Sequence, residues 1–134
     1  MDTKIFQNIH TIAIIGLSPN QQKDSFKVAN FLIQKGFEVI PIYPKEDIIL
    51  GKKVFRSYTQ AHNNHKIDCV VIFRKSEKCF EIAQEIITQT PLPKIVWLQL
   101  GITNIYAKKI LEDKNIIFVE NRCIKIELQK NGIS

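Results

Sequence analysis

Residues suited to binding a phosphate group lie just after the first apolar segment of this chain. That segment, Thr11–Ile15, is short and rich in β-branched residues, and it ends at Gly16 before a polar stretch begins. An apolar strand that ends in glycine and leads into a helix is typical of the first βα turn of a nucleotide-binding domain. Ser18 and Ser25 could donate hydroxyl hydrogen bonds, and Lys23 could supply positive charge. Together with the backbone N–H groups at the start of the helix, these side chains predict a pyrophosphate site.

The spacing of the glycines disfavours a nicotinamide or flavin dinucleotide. That fingerprint has glycines two and five positions after the first, so that the backbone can approach the pyrophosphate and the helix can pack on the strand. Here those positions hold Ser18 and Gln21. The fingerprint also has an Asp or Glu at the end of the second strand to bind a ribose, whereas residues 39–45 contain no carboxylate. The first loop is therefore suited to a pyrophosphate but lacks two features of the dinucleotide pattern.

Length and composition indicate one domain. The 134 residues are 45% hydrophobic and 24% charged, which is ordinary for a globular protein of this size. The first residues lack the basic and apolar regions of a signal peptide, and no apolar stretch approaches the roughly 20 residues that span a bilayer. We therefore expect a single domain over residues 1–134, located in the cytoplasm and not associated with membranes.

The charged residues and cysteines narrow the possible partners. The net charge is +6, but the lysines and arginines are scattered, which favours a small anionic ligand over nucleic acid. Three cysteines, Cys69, Cys79 and Cys123, lack the paired short spacing of a disulfide framework or a zinc site. His62 and His65 lie three residues apart without a second pair of ligands. We expect no metal site and no catalytic residues, because no nucleophile lies in a pattern with a base.

The hydrophobic pattern alternates between strand and helix along the whole chain. We predict strands at residues 11–15, 38–42, 68–73, 94–98 and 116–119, an edge strand near 54–55, and helices at 26–34, from 76 to about 88, from 103 or 104 onward, and after 123. Gly36 suits the left-handed position that ends a helix. This alternation predicts an α/β fold, a Rossmann-like three-layer sandwich with a mainly parallel sheet of five to six strands and helices on both faces.

A ligand of such a sheet lies beyond the carboxyl ends of its strands. The loops that we expect to converge there are residues 16–25, 43–45, 73–76, 99–101 and 121–123. Four basic residues lie on them: Lys23, Lys45, Arg74 and Lys75. Arg74 is the strongest candidate because it follows a buried strand directly. Gln99 and Gly101 lie where a strand ends and its backbone can face a ligand, whereas Trp97 lies within that strand and is expected to pack in the core.

Six segments in this order resemble the small bacterial and archaeal CoA-binding proteins, which are stand-alone Rossmann-like domains similar to the N-terminal domain of the succinyl-CoA synthetase α subunit. The segments are Gly16-Leu-Ser-Pro19, Ser25 with Val28-Ala29, Val39-Ile-Pro41 with Pro44, Phe73-Arg-Lys-Ser-Glu77, Trp97-Leu-Gln-Leu-Gly101 and Arg122-Cys-Ile-Lys-Ile-Glu127. The resemblance covers a core at about 9–127. The chain departs from the family at Tyr43, which is usually Asn, at Lys23-Asp24, often Arg-Pro, and at Asn121, often Asp.

The resemblance implies binding of coenzyme A or an acyl-CoA through the Gly16-Leu17-Ser18 loop, in a non-catalytic binding, sensing or carrier role. The residues expected to contact this cofactor are Gly16, Leu17, Ser18, Lys23, Ser25, Pro44, Lys45, Phe73, Arg74, Lys75, Gln99, Gly101, Asn121, Arg122 and Cys123. Two alternatives stay open. One is a nicotinamide-nucleotide-dependent enzyme or redox sensor, and the other is a protein-interaction subunit that partners a ligase-like protein.

Overall fold

Short β-branched runs and amphipathic segments alternate through residues 3–131, the part of the chain that the computed structural model describes. In chain order the elements are a 3-10 helix Thr3–Phe6, β1 Thr11–Ile15, α1 Asp24–Gln34, β2 Glu38–Ile42, β3 Ile48–Ile49, β4 Lys52–Lys53, α2 Tyr58–Asn64, β5 Cys69–Ile72, a 3-10 helix Ser76–Lys78, α3 Cys79–Ile87, β6 Ile95–Leu98, α4 Ile105–Glu112, β7 Ile117–Val119 and α5 Ile124–Lys130. None of the helices in this range is long and apolar enough to cross a membrane.

The main sheet has five parallel strands in the order β2-β1-β5-β6-β7. The predicted edge strand is reduced to one parallel bridge between Phe55 and Ile42. In that bridge the Phe55 N–H donates to the carbonyl of Pro41 at 2.9 Å, and Tyr43 N–H donates to the Phe55 carbonyl at 3.0 Å. The chain runs outward from β1 to β2 and then returns past β1 to β5. This reversal of strand order places a crevice between the carboxyl ends of β1 and β5.

Alternate residues of each strand face opposite layers of helices, as the pleat of a sheet requires. In β1, Ile12 and Ile14 pack in one core cluster, which includes apolar residues of α1 and α5. Ala13 and Ile15 pack in the other, which includes residues of α2, α3 and α4. Trp97 is fully buried in the first cluster, as predicted. The predicted three-layer α/β arrangement is confirmed.

Hydrogen bonds fix the end of α1 and the start of β1. Gly36 has φ +95° and ends α1, as predicted, with Gly36 N–H donating to Ile33 and Phe37 N–H to Leu32. The buried carboxylate of Asp68 accepts the N–H groups of His10 and Thr11, both at 2.9 Å. This contact fixes the start of β1 beside β5.

Helix α2 is an element that the hydrophobic pattern did not predict. Its N-cap, Ser57, accepts the N–H of Gln60 at 3.1 Å, and the Gln60 side chain accepts the N–H of Arg56 at 2.7 Å. A serine followed three residues later by glutamine is the pattern of a capping box. The helix start was therefore encoded locally, although the helix itself is only seven residues long.

Candidate functional site

Two clefts open at the carboxyl ends of the central strands. The first, the polar cleft, has a volume of about 460 Å³ and is lined by residues that include Gly16, Tyr43, Pro44, Tyr58, Arg74 and Glu85. The second, the apolar cleft, has a volume of about 400 Å³ beside α1 and α5, and its lining includes Val28, Phe73, Gln99, Leu100, Cys123 and Ile126. Phe73 lines both clefts. Both clefts therefore border Phe73 at the crevice between β1 and β5.

Gly16 is held between the ends of neighbouring strands. Its φ is +89°, and its N–H donates to the carbonyl of Ile42 at 2.9 Å. A Cβ at this position would collide with the carbonyl oxygen of Phe73 and would lie 3.3 Å from Cδ of Arg74. The backbone of Phe73 fills this space. Glycine is needed here because two loops of the protein touch.

The loop from Gly16 to α1 is fixed by its own side chains. The Ser18 N–H donates to Ser25 Oγ at 3.0 Å, the Asn20 N–H donates to Ser18 Oγ at 3.1 Å, and the Gln22 N–H donates to Asn20 Oδ1 at 2.9 Å. Each serine hydroxyl accepts one of these bonds and keeps its own hydrogen to donate. Lys23 is the N-cap of α1 and provides no side-chain cap, so the first N–H groups of the helix are left for other acceptors. Leu17 is fully buried, and its side chain belongs to the core.

Tyr58 brings a buried hydroxyl to the polar cleft. The residue is 1% exposed, and its hydroxyl has no hydrogen-bond partner within residues 3–131. Burial, and then the negative charge of Glu85, raise the pKa of this phenol well above its usual value. The Glu85 carboxylate is itself held by the backbone N–H and hydroxyl of Thr59, at 2.9 and 2.7 Å. Tyr58 therefore stays protonated and can donate to a ligand.

Arg56 holds the loop after β2 in place. Its guanidinium donates to the carbonyl oxygens of Tyr43, Lys45 and Glu46 at 3.2, 2.9 and 2.6 Å. It also lies 3.5 Å from the carboxylate of Asp47. We did not identify Arg56 from the sequence, because it lies outside the predicted loops and in no motif. It gives the wall of the polar cleft a defined shape.

A second set of hydrogen bonds ties together the loops that follow β6 and β7. The Gly101 N–H donates to Asn121 Oδ1 at 2.7 Å. The Ile124 N–H donates to Gln99 Oε1 at 2.9 Å, and the indole of Trp97 donates to the Arg122 carbonyl at 2.7 Å. The Arg122 side chain lies 3.5 Å from the carboxylate of Glu127. These residues position the rim of the apolar cleft.

The structure thus divides the predicted site residues into two groups. Six line a cleft: Gly16, Pro44, Phe73, Arg74, Gln99 and Cys123. Nine line neither of these clefts: Leu17, Ser18, Lys23, Ser25, Lys45, Lys75, Gly101, Asn121 and Arg122. Sequence analysis missed other lining residues. Most of them lie on helices or just before α2, and they include Val28, Arg56, Tyr58, Ile82, Glu85 and Ile126. Their helical positions resemble those of ordinary core and surface residues, so spacing alone carried no signal for them.

Within the described part of the chain, no three His, Cys, Asp or Glu side chains are grouped so that they could hold a metal ion. Besides apolar surface, the two clefts offer basic, hydroxyl, amide and thiol groups together with the carboxylates of Asp24 and Glu85. Such groups suit an organic anion with an extended apolar part.

The strand order and the crevice define an α/β domain of the nucleotide-binding class. Residues 10–129 match the family described as CoA binding domain. Because this match covers most of its length, the chain belongs to that family.

Individual relatives agree with this assignment. The uncharacterised protein YneT of Bacillus subtilis is 32% identical over 123 residues, which are 92% of this chain and 88% of YneT. A hypothetical protein from Pyrococcus horikoshii is 30% identical with a TM-score of 0.87, over 95% of this chain and 87% of that one. A conserved hypothetical protein from Pyrococcus furiosus is 29% identical with a TM-score of 0.77, over 89% and 99% of the two chains.

Proposed function

We propose that this protein binds coenzyme A or an acyl-CoA across both clefts, as a non-catalytic binding, sensing or carrier module. The observation that carries the proposal is that two unlike clefts border Phe73 in a chain of the CoA binding domain family. Coenzyme A is an extended molecule with a phosphorylated nucleotide at one end and an uncharged thiol arm at the other. A polar cleft and an apolar cleft that both border Phe73 fit the two halves of this molecule.

The nucleotide half is assigned to the polar cleft. Arg74 lines this cleft and is exposed, and it forms no ion pair or hydrogen bond within residues 3–131. A guanidinium that is not paired with a carboxylate can form two parallel hydrogen bonds with a phosphate. The unpartnered hydroxyl of Tyr58 adds a donor for the nucleotide. These groups support a role for the polar cleft in recognising the ribose 3′-phosphate.

The pyrophosphate is assigned to the start of α1. The free N–H groups of the first turn and the helix dipole favour negative charge there. Lys23 and the hydroxyl hydrogens of Ser18 and Ser25 add positive charge and donors. Asp24 competes for the same end of the helix, because it places a carboxylate in the first turn. We therefore expect Arg74 to contribute more to phosphate affinity than the helix start does.

Calorimetry on the protein with CoA, dephospho-CoA, NAD and ATP tests this proposal. We expect CoA to bind, with dephospho-CoA about five- to tenfold weaker, since a partly exposed charge-assisted pair is lost, and NAD weaker still. Arg74→Gln should weaken CoA binding by a similar factor. Lys114→Gln is the matched control, because it removes the same charge from an exposed residue after α4 that lines neither cleft. It should change affinity by less than about twofold.

The outcomes separate the proposal from its alternatives. Tighter binding of NAD than of CoA would favour the nicotinamide-dependent function. Failure to bind any of the four nucleotides would favour a protein-interaction subunit. For the non-catalytic role, acetyl-CoA incubated with the protein should release free thiol no faster than in buffer, and faster release would show thioester hydrolysis.

A further inference from the structure

The lining of the apolar cleft indicates that the ligand carries an apolar group in addition to CoA itself. Its rim includes Leu100 and Ile126, which are 66% and 47% exposed. They lie next to the buried wall residue Val28 and to Phe73, which also borders the polar cleft. Large apolar side chains left exposed beside a cavity are typical of surfaces that a ligand covers. An apolar group at the end of the thiol arm would cover them.

Gln99 adds a directed polar group to the same cleft. It is 3% exposed, and its Oε1 accepts the N–H of Ile124 at 2.9 Å. Because a backbone N–H can only donate, this bond identifies the oxygen and leaves the Nε2 amide as the unused end. Nε2 has no hydrogen-bond partner within residues 3–131, and Gln99 lines the cleft. Nε2 is not one of the fully buried polar atoms without a partner in the described residues, so it is accessible and can donate to a ligand carbonyl in the cleft.

We propose that the apolar cleft binds the acyl end of a short-chain acyl-CoA thioester. In this arrangement, which rests on the proposed function above, Gln99 Nε2 donates to the thioester carbonyl oxygen, and the acyl carbons lie against Leu100 and Ile126. The volume of about 400 Å³ is near the lower end of the range for ligand sites, and part of it must hold the thiol arm. The lining also includes the polar and charged residues Asp24, Lys27, Lys125 and Gln129. The limited volume and the polar lining residues favour an unbranched acyl chain of a few carbons.

Calorimetry with CoA, acetyl-CoA, butyryl-CoA, octanoyl-CoA, succinyl-CoA and S-butyl-CoA, a thioether without the carbonyl, tests this inference. Each buried methylene should tighten binding about fourfold, which corresponds to about 0.8 kcal/mol. Butyryl-CoA should therefore bind at least about tenfold more tightly than acetyl-CoA. Octanoyl-CoA should gain nothing further. Butyryl-CoA should also bind about fivefold more tightly than S-butyl-CoA, because only the thioester accepts the Gln99 hydrogen bond.

Variants connect these preferences to particular side chains. Leu100→Ser should reduce the preference for butyryl-CoA over CoA. Ile105→Ser is its matched control, because Ile105 is 74% exposed and lies on α4, outside the lining of this cleft. Gln99→Glu keeps an acceptor for the Ile124 N–H and removes the amide donor. It should abolish the preference for butyryl-CoA over S-butyl-CoA. Circular dichroism and thermal unfolding of each variant exclude loss of fold as the cause.

The possible failures are distinguishable. Equal affinity for CoA, acetyl-CoA and butyryl-CoA overturns the acyl site and leaves CoA binding intact. Tighter binding of succinyl-CoA than of butyryl-CoA overturns the apolar assignment in favour of a charged acyl group. Absence of CoA binding overturns both this inference and the proposed function.

Discussion

Gly16 matches a ligand-binding sequence pattern, and its contacts within the protein give it a structural role. Its place after the first strand matches a phosphate loop, yet its N–H bonds to Ile42 and its missing side chain makes room for the Phe73 carbonyl. Both clefts border Phe73 beside this contact. The glycine therefore shapes the candidate site by letting two loops touch.

Substituting Gly16 tests this role. Gly16→Ala combines an unfavourable positive φ with a steric collision, so we expect it to lower the free energy of unfolding by about 3 kcal/mol or more. Gly36→Ala is the matched control, because its φ is also positive but a Cβ there would meet no atom within 4 Å. It should cost only about 1–2 kcal/mol. Urea denaturation measures both, and equal losses would contradict a special contact at Gly16.

At the level of elements, the candidate site is formed by loops whose positions are fixed by side-chain hydrogen bonds. Arg56 fixes the loop after β2. Asn104 caps α4 because its Oδ1 accepts the N–H groups of Tyr106 and Ala107. Its amide also donates to the carbonyl of Ser76, at the start of the 3-10 helix after β5. One side chain therefore starts a helix and connects two loops. Such connections let short loops keep a defined shape without a larger core.

The two functions of Asn104 can be separated by substitution. Asn104→Ala removes the cap and the connection to Ser76, and should lower the free energy of unfolding by about 1–2 kcal/mol. Asn104→Ser keeps a capping oxygen but is too short to replace the amide donor, so it should lose less than half as much. Chemical denaturation of the two variants and the parent protein measures these differences. If Ser and Ala cost the same, capping does not account for the effect.

For the whole molecule, the central sheet buries ionisable thiols on both of its faces. Burial raises the pKa of the Cys79 thiol to about 11, with Arg74 opposing this shift and Glu77 and Glu120 adding to it. Burial, and then the charge of Asp68, raise the pKa of Cys69 as well. Both thiols ionise more readily in the unfolded chain than in the folded protein. The stability that they contribute is complete below the ordinary thiol pKa and is lost as the pH rises toward the folded value.

Alkaline pH should therefore destabilise the protein. From about pH 9 upward, the free energy of unfolding should fall by roughly 1.4 kcal/mol per pH unit for each such thiol. Cys79→Ala should reduce this slope between about pH 9 and 11, even though the cavity that it creates lowers stability at every pH. Urea denaturation at several pH values measures the slope. An unchanged slope in Cys79→Ala would contradict the assignment to this thiol.

The sequence by itself determined the class of fold, because that information is local and repeated. Apolar runs such as Thr11–Ile15 mark buried strands, Gly36 ends a helix, and Asn104 starts one. The alternation of such signals allows few arrangements other than a parallel sheet between layers of helices. The sequence also predicted which loops converge, since the carboxyl ends of parallel strands share one edge. Phe73, Arg74, Gln99 and Cys123 lie on these predicted loops and line the clefts.

Only the tertiary structure decided which side chains line the clefts and which hold the protein together. Asn121 and Arg122 follow a strand as Arg74 does, yet they bond to Gly101 and Glu127 at the rim of the apolar cleft. Tyr58 and Ile126 lie on helices, where their spacing is that of ordinary packing residues, and they reach the clefts because of how the helices sit on the sheet. Whether a polar group meets a ligand depends on which other groups lie within hydrogen-bond distance. These distances are set by residues remote in the chain, and no local pattern encodes them.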